Sequence, residues 1–311
     1  MPRIILTLAL GLLLLLPAAA SAKRYDVRVG IGDQNVEMFD ESRFERLDIK
    51  RVRYFVPWNA VRDPAELARA RAYVQRARQA GVKVMVHIST DDLRIRRAKL
   101  PSVKRYRRDV GRLVRELRPL GVREWGVWNE ANHKSQPTWR APGRAARYFK
   151  AFRKICGGCR IVALDVLDQR GVERYVKRFY RKLSPRLTRQ ARFVGIHNYS
   201  DVNRRRMSGT RGIMRAVRRH GPRKARFWLT ETGGVVELGS SFRCNERRAG
   251  NRMRYLFRLL KRERSSIQRA YVYNWFGTDC TTRMDTGVVN RDGSPRRSYR
   301  VLRKGLRSFK R

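Results

Sequence analysis

The chain has 311 residues, 42% of them hydrophobic, which is enough for one large core of the size an α/β barrel needs. Its 74 Lys and Arg against 26 Asp and Glu give a net charge of +48, a balance that favours anionic surfaces such as cell-wall polymers, acidic polysaccharides or nucleic acid. The charge comes without a basic tail or a nucleic-acid module, and no second apolar run follows the first, which argues against a nucleic-acid binder and against a membrane bundle.

Residues 1–22 read as a signal peptide. Arg3 supplies the positive start, 4–16 the apolar run, and Ala20-Ser21-Ala22 the cleavage site. A secreted mature domain over 23–311 is expected, with no transmembrane segment. Strands are predicted at 26–31 and 50–56. Asp63-Pro64 then caps and starts a helix that runs to Ala80 and stops at Gly81. A third strand, 82–87, ends at His87. Ser102 caps a helix whose apolar face is Tyr106, Val110, Leu113, Val114 and Leu117, and Gly121 ends it.

The stretch 124–132 follows, an apolar run with two tryptophans that ends in Asn129 and Glu130. That is the pattern of a buried strand delivering its tip to a polar site. A helix at 144–155 leads to a strand at 160–164 and Asp165. A helix at 172–183 precedes a strand at 192–197, and a helix at 211–220 stops at Gly221-Pro222. The run 227–233 is another apolar strand carrying a glutamate, Glu231, at its tip. A helix at 245–263, a strand at 269–275 and a helix at 298–306 complete the chain.

Eight strand-then-helix units in one domain predict an α/β fold, a closed (β/α)8 TIM barrel with its active face at the strand C-termini. A doubly wound sheet fits less well, because no Gly-rich phosphate loop follows the first strand. No repeat, linker or second domain is visible, and a monomer is expected. Four cysteines in an exported chain predict two disulfides: Cys156 and Cys159 are placed to close a small loop, and Cys244 and Cys280 to tie two loops on one face. The connectivity is open at this level. With four histidines and no close ligand spacing, no metal is expected, and no cofactor.

In a barrel the strand ends converge. Arg53, Trp58, His87, Asn129, Glu130, Asp165, His197, Asn198, Tyr199, Glu231 and Trp275 would then share one mouth. Aromatic faces, amides and two carboxylates suit glycosidic-bond hydrolysis, in which one carboxyl is protonated at rest and the other is ionised. Sequence does not say which glutamate has which role. The alternative is a degenerate barrel that binds anionic polysaccharide without cutting it.

Trp128-Asn129-Glu130 and Thr230-Glu231 resemble the paired glutamates of glycoside hydrolase clan A, (β/α)8 retaining enzymes that include families five and thirty-nine. The resemblance implies that Glu130 is the acid/base, Asn129 binds the hydroxyl beside the reacting carbon, and Glu231 is the nucleophile. Arg53 with Trp58 is similar to the family-five strand-two pattern, His197-Asn198-Tyr199 to the strand-six His-x-Tyr, and Trp275 to the strand-eight sugar platform. Ala131 departs from the pattern, since many relatives have proline there. The expected protein is a secreted retaining glycosidase acting on a β-linked polysaccharide or oligosaccharide.

Overall fold

The structure is a computed structural model that describes residues 24–92 and 98–311. The expected signal segment lies outside the described residues. Eight parallel strands form the barrel: β1 (Tyr25–Gly32), β2 (Arg51–Pro57), β3 (Lys83–Ser89), β4 (Glu124–Gly126), β5 (Arg160–Leu167), β6 (Phe193–His197), β7 (Arg226–Thr232) and β8 (Ile267–Tyr273). They pair in chain order, and β8 closes on β1 from Arg28↔Arg269 to Gly32↔Tyr273. The fold is a (β/α)8 TIM barrel, as expected from the eight alternating units.

Seven longer helices cover it: α1 (Pro64–Gln79), α2 (Val103–Leu117), α3 (Pro142–Ile155), α4 (Val172–Tyr180), α5 (Ser208–His220), α6 (Glu246–Arg262) and α7 (Arg297–Leu306). The crossover from β1 to β2 is made only by the short turns Val36–Asp40 and Ser42–Glu45, which corrects the idea of eight full helices. The caps act as the residue types dictate. The Asp63 carboxylate accepts from the amides of Ala65 and Glu66, and the Ser102 hydroxyl from Arg105. No helix among the described residues is long and apolar enough to cross a membrane.

The core has two parts. Between strands and helices lies the large apolar shell, which takes the outward residues of each strand. Inside the barrel a small plug of Met85, Val162, Trp228 and Tyr271 fills the waist. Two glycines make the interior above it possible. A Cβ at Gly126 would sit inside the His87 ring, and one at Gly195 would overlap the Asp165 carboxylate. Both disulfides form, Cys156 with Cys159 and Cys244 with Cys280. The second ties the loops beside the two-residue strands Glu237–Leu238 and Met284–Asp285, which pair with each other.

Candidate active site

β4 leaves the ladder at Gly126, yet the chain is held beyond it. The Asn129 amide donates to the Ile88 carbonyl, and the Glu130 amide to Asp165 Oδ1 at 3.0 Å. Glu130 adopts a left-handed backbone, φ 43°, which costs a non-glycine residue on the order of 1 kcal/mol. That turn aims its carboxylate at His197. The Nδ1 atom of His197 lies 2.9 Å from Glu130 Oε1 and 3.6 Å from Glu231 Oε2. Sharing one nitrogen caps the separation of those two oxygens at about 6.5 Å, the lower edge of the inverting range and compatible with the retaining range of about 5–5.5 Å between carboxyl groups.

The partners of Glu231 come from two different units, Arg53 from within β2 and Tyr199 from just after β6. Arg53 Nη1 donates to Oε2 at 2.9 Å and the Tyr199 hydroxyl to Oε1 at 2.9 Å. Arg53 also donates to Asn129 Oδ1 and, at 3.3 Å, to His87 Nδ1. The guanidinium is fully buried, so its charge requires this set of acceptors. Burial pushes His87 down to about 3, and with Arg53 beside it the ring stays neutral. Burial also pushes the Tyr199 hydroxyl well up, which keeps it a donor.

His197 behaves the opposite way. Burial opposes its charge, but Asp165, Glu231 and Glu130 outweigh that and raise it to about 10. Its Nε2 sits 3.1 Å from Asp165 Oδ1, an ion pair at the bottom of the site. Burial likewise works against the Asp165 charge, and the imidazolium holds that carboxyl far below its ordinary range. Thr230 donates to its other oxygen. The same imidazolium overcomes the burial of Glu130 and lowers it too. Both shifts favour the imidazolium form of His197 beside the carboxylate form of Glu130. The direction runs against the expected glutamate protonated at rest, because a cation 2.9 Å away opposes burial.

The structure gathers Arg53, Asn129, Glu130, His197, Tyr199 and Glu231 into one cluster, and Asp165 supports it from below. Four other candidates do not reach the open mouth. Trp275 is fully buried, edge-on to Phe44 and Tyr299, because β8 ends at Tyr273 and the large ring goes to the outer core instead. Trp58 is 4% exposed, with Arg62 over its ring. Asn198 bonds Thr232 and Thr210 behind the barrel wall. His87 lies wholly buried against Arg53 and orients it.

Two residues were missed. Tyr273 is partly exposed beside Gly32, with Glu231 close enough to help burial raise its hydroxyl. Its signal was available, because it falls on the inward parity of Arg269 and Tyr271. His133, three residues after Glu130, has Nδ1 3.6 Å from Glu130 Oε2 and no strand pattern to announce it.

The family profile described as glycosyl hydrolase catalytic core matches residues 121–301, from just before β4 to the middle of α7. The chain belongs to this family. Solved glycosidase structures share the fold. A family 5 subfamily 18 glycoside hydrolase from Streptomyces cattleya in complex with Manβ1-4GlcNAc is 13% identical, with a TM-score of 0.65 over 90% of this chain and 80% of that one. A psychrophilic family 10 endo-β-1,4-xylanase is 13% identical, with a TM-score of 0.59 over 90% and 96%. A family 39 glycoside hydrolase from Bacteroides cellulosilyticus WH2 is 14% identical, with a TM-score of 0.59 over 92% and 64%. These are clan A barrels. No curated protein matches the glycosyl hydrolase chain in sequence.

Proposed function

We propose that this glycosyl hydrolase is an exported retaining enzyme that cleaves a β-linked polysaccharide or oligosaccharide, with Glu231 as nucleophile and Glu130 as acid/base. The observation that carries the reading is the pair of carboxylates meeting at His197 Nδ1, 2.9 Å and 3.6 Å away. Arg53 and Tyr199 each donate to one oxygen of Glu231 and so hold its carboxylate oriented toward the anomeric carbon. As Glu231 attacks, its charge is consumed and the imidazolium loses one of its three stabilising carboxylates. The proton on Nδ1 then passes to Glu130 Oε1 and on to the leaving oxygen as the glycosidic bond breaks. In the second half-reaction Glu130 takes a proton from water and passes it back to His197 Nδ1, the hydroxide attacks the anomeric carbon, and the Glu231 ester bond breaks. Asn129, whose Oδ1 is held by Arg53, presents its amide nitrogen to a sugar hydroxyl.

Export fits the two disulfides, which form in oxidising compartments, together with the signal-peptide pattern read in the sequence over residues 1–22. A barrel that binds without cutting would need a broken pair, and both carboxylates keep their supports. The test is hydrolysis of a polysaccharide panel and of an activated aryl glycoside. Glu231→Ala should abolish both, and azide should restore turnover of the aryl glycoside with inverted product. Full activity in Glu231→Ala, or an inverted product from the unaltered enzyme, would sink the reading.

A further inference from the structure

The opposite end of the barrel carries a second concentration of charge. Arg28 points from β1, Arg51 and Lys83 start β2 and β3, and Arg123 precedes β4. Across the barrel Arg160 and Arg226 start β5 and β7, Arg192 precedes β6, and Arg269 lies low in β8. Every strand, or the residue just before it, contributes a cation. The register makes neighbours of them, Arg28 beside Arg269 and Arg51 beside Lys83. Two cavities of about 600 Å³ and 590 Å³ open here, and both are lined by Arg28, Arg160 and Arg269.

Among the described residues Glu124 is the one acid lining either cavity, and it is already engaged by Arg269 and Arg160, with Arg51 at 3.9 Å. Arg189, Arg192, Arg223, Lys224 and Arg226 line the larger cavity with no carboxylate partner among the described residues. The crowding is felt. Burial, then the charges of Arg269 and Arg28, push the Arg51 guanidinium down, and its Nε is buried without a hydrogen-bond partner. Some surface arginines elsewhere find carboxylates, as Arg71 does at Glu116 and Arg211 at Glu263. What sets the floor apart is that cations from all eight strand starts converge on two adjoining cavities that share Arg28, Arg160 and Arg269.

We infer that this floor is a binding site for an anionic polysaccharide, a chain bearing carboxylate or sulfate groups, separate from the mouth. Guanidinium forks chelate such groups two bonds at a time. Phe193 is the one aromatic ring lining the larger cavity, and Arg160 and Arg192 lie over it at 5.8 Å and 5.2 Å, leaving no platform for stacked bases. The concave shape suits a chain rather than a flat lipid surface. The choice of a polysaccharide as the polymer rests on the glycosidase reading. The cationic site itself does not.

The test is binding of the full chain to polygalacturonate and to heparin, with neutral xylan as control and single-stranded DNA as competitor, at about 0.15 M salt. The variant R192S/R223S/R226S changes three exposed floor residues, and R105S/R112S/R115S removes the same charge from the exposed face of α2. The floor variant should lose about tenfold or more in affinity for an anionic polysaccharide and show a weaker salt dependence, while the α2 variant loses less than about threefold. The probe bound tighter, polygalacturonate or heparin, tells carboxylate from sulfate. Equal losses in the two variants, or xylan bound as tightly as either anionic chain, would overturn the site. DNA outcompeting both polysaccharides with the same floor dependence would overturn the polymer. Hydrolysis of a neutral aryl glycoside, followed in parallel, should be unchanged in the floor variant. An unaltered chain that binds heparin yet hydrolyses nothing supports the floor site while refuting the glycosidase reading.

Discussion

The two ends of the barrel are built from the same eight strands and handle charge in opposite ways. At the mouth, Arg53 and His197 are buried among Glu130, Glu231 and Asp165, and every charge touches its opposite. At the floor, cations face one another around a single carboxylate, Glu124. Pairing in a dry site fixes geometry and sets where a proton sits. Unpaired charge in an open bowl fixes little and attracts counter-charge from outside. Chemistry therefore belongs to the mouth, and the floor is suited to binding.

The largest test of that contrast is to unpair the mouth. Arg53→Met should lower turnover by about 10²-fold or more, since it frees both Glu231 and Asn129. It should also cost about 3–5 kcal/mol of stability, because buried carboxylates lose their cation, and chemical denaturation reads this directly. Gly195→Ala comes next. Its methyl would displace Asp165, and a loss of about 2–4 kcal/mol with reduced turnover is expected from the same measurements. Replacing Cys244 and Cys280 by serine opens a loop whose ends are 36 residues apart and should lower stability by about 2–4 kcal/mol.

The pH response is smaller and has a definite sign. His197 is raised from about 6.5 to about 10, so its stabilisation is fully present below pH 6.5 and is lost as pH rises through 10. Asp168 and Asp33, raised by burial to about 7 and about 6, favour the protonated fold, and they too withdraw stability as pH climbs from about 4 to those values. Asp165, held low, adds stability above its ordinary range that is lost in stronger acid. The melting temperature should fall steadily from mildly acidic pH toward 10. A flat profile would show that His197 is not cationic. The smallest effect belongs to the floor, where R192S/R223S/R226S should shift stability by no more than about 0.5 kcal/mol, because exposed unpaired charges hold nothing in place.

Part of the site was legible before any coordinates. Asn129, Glu130 and Glu231 stood at the ends of apolar runs, and only a polar destination explains a carboxylate there. Arg53, His197 and Tyr199 were found by the same logic. Trp58, Asn198 and Trp275 were misplaced by it, because lying near a strand end does not decide which way a side chain faces once the ladder has stopped. Tyr273, at the last paired position, took the inward place assigned to Trp275.

Local pattern by itself determined the eight strands, the caps at Asp63 and Ser102, and the two glutamates at strand tips. Each depends on a short stretch of chain, its periodicity and its turn residues. Tertiary structure alone decided that Glu130 and Glu231 meet at one imidazole nitrogen, that His197 is pushed up and Glu130 down, and that eight scattered basic residues form one bowl. Those outcomes depend on distances between residues far apart in the chain and on burial away from water. Both act through space, and they come into being only when the barrel closes.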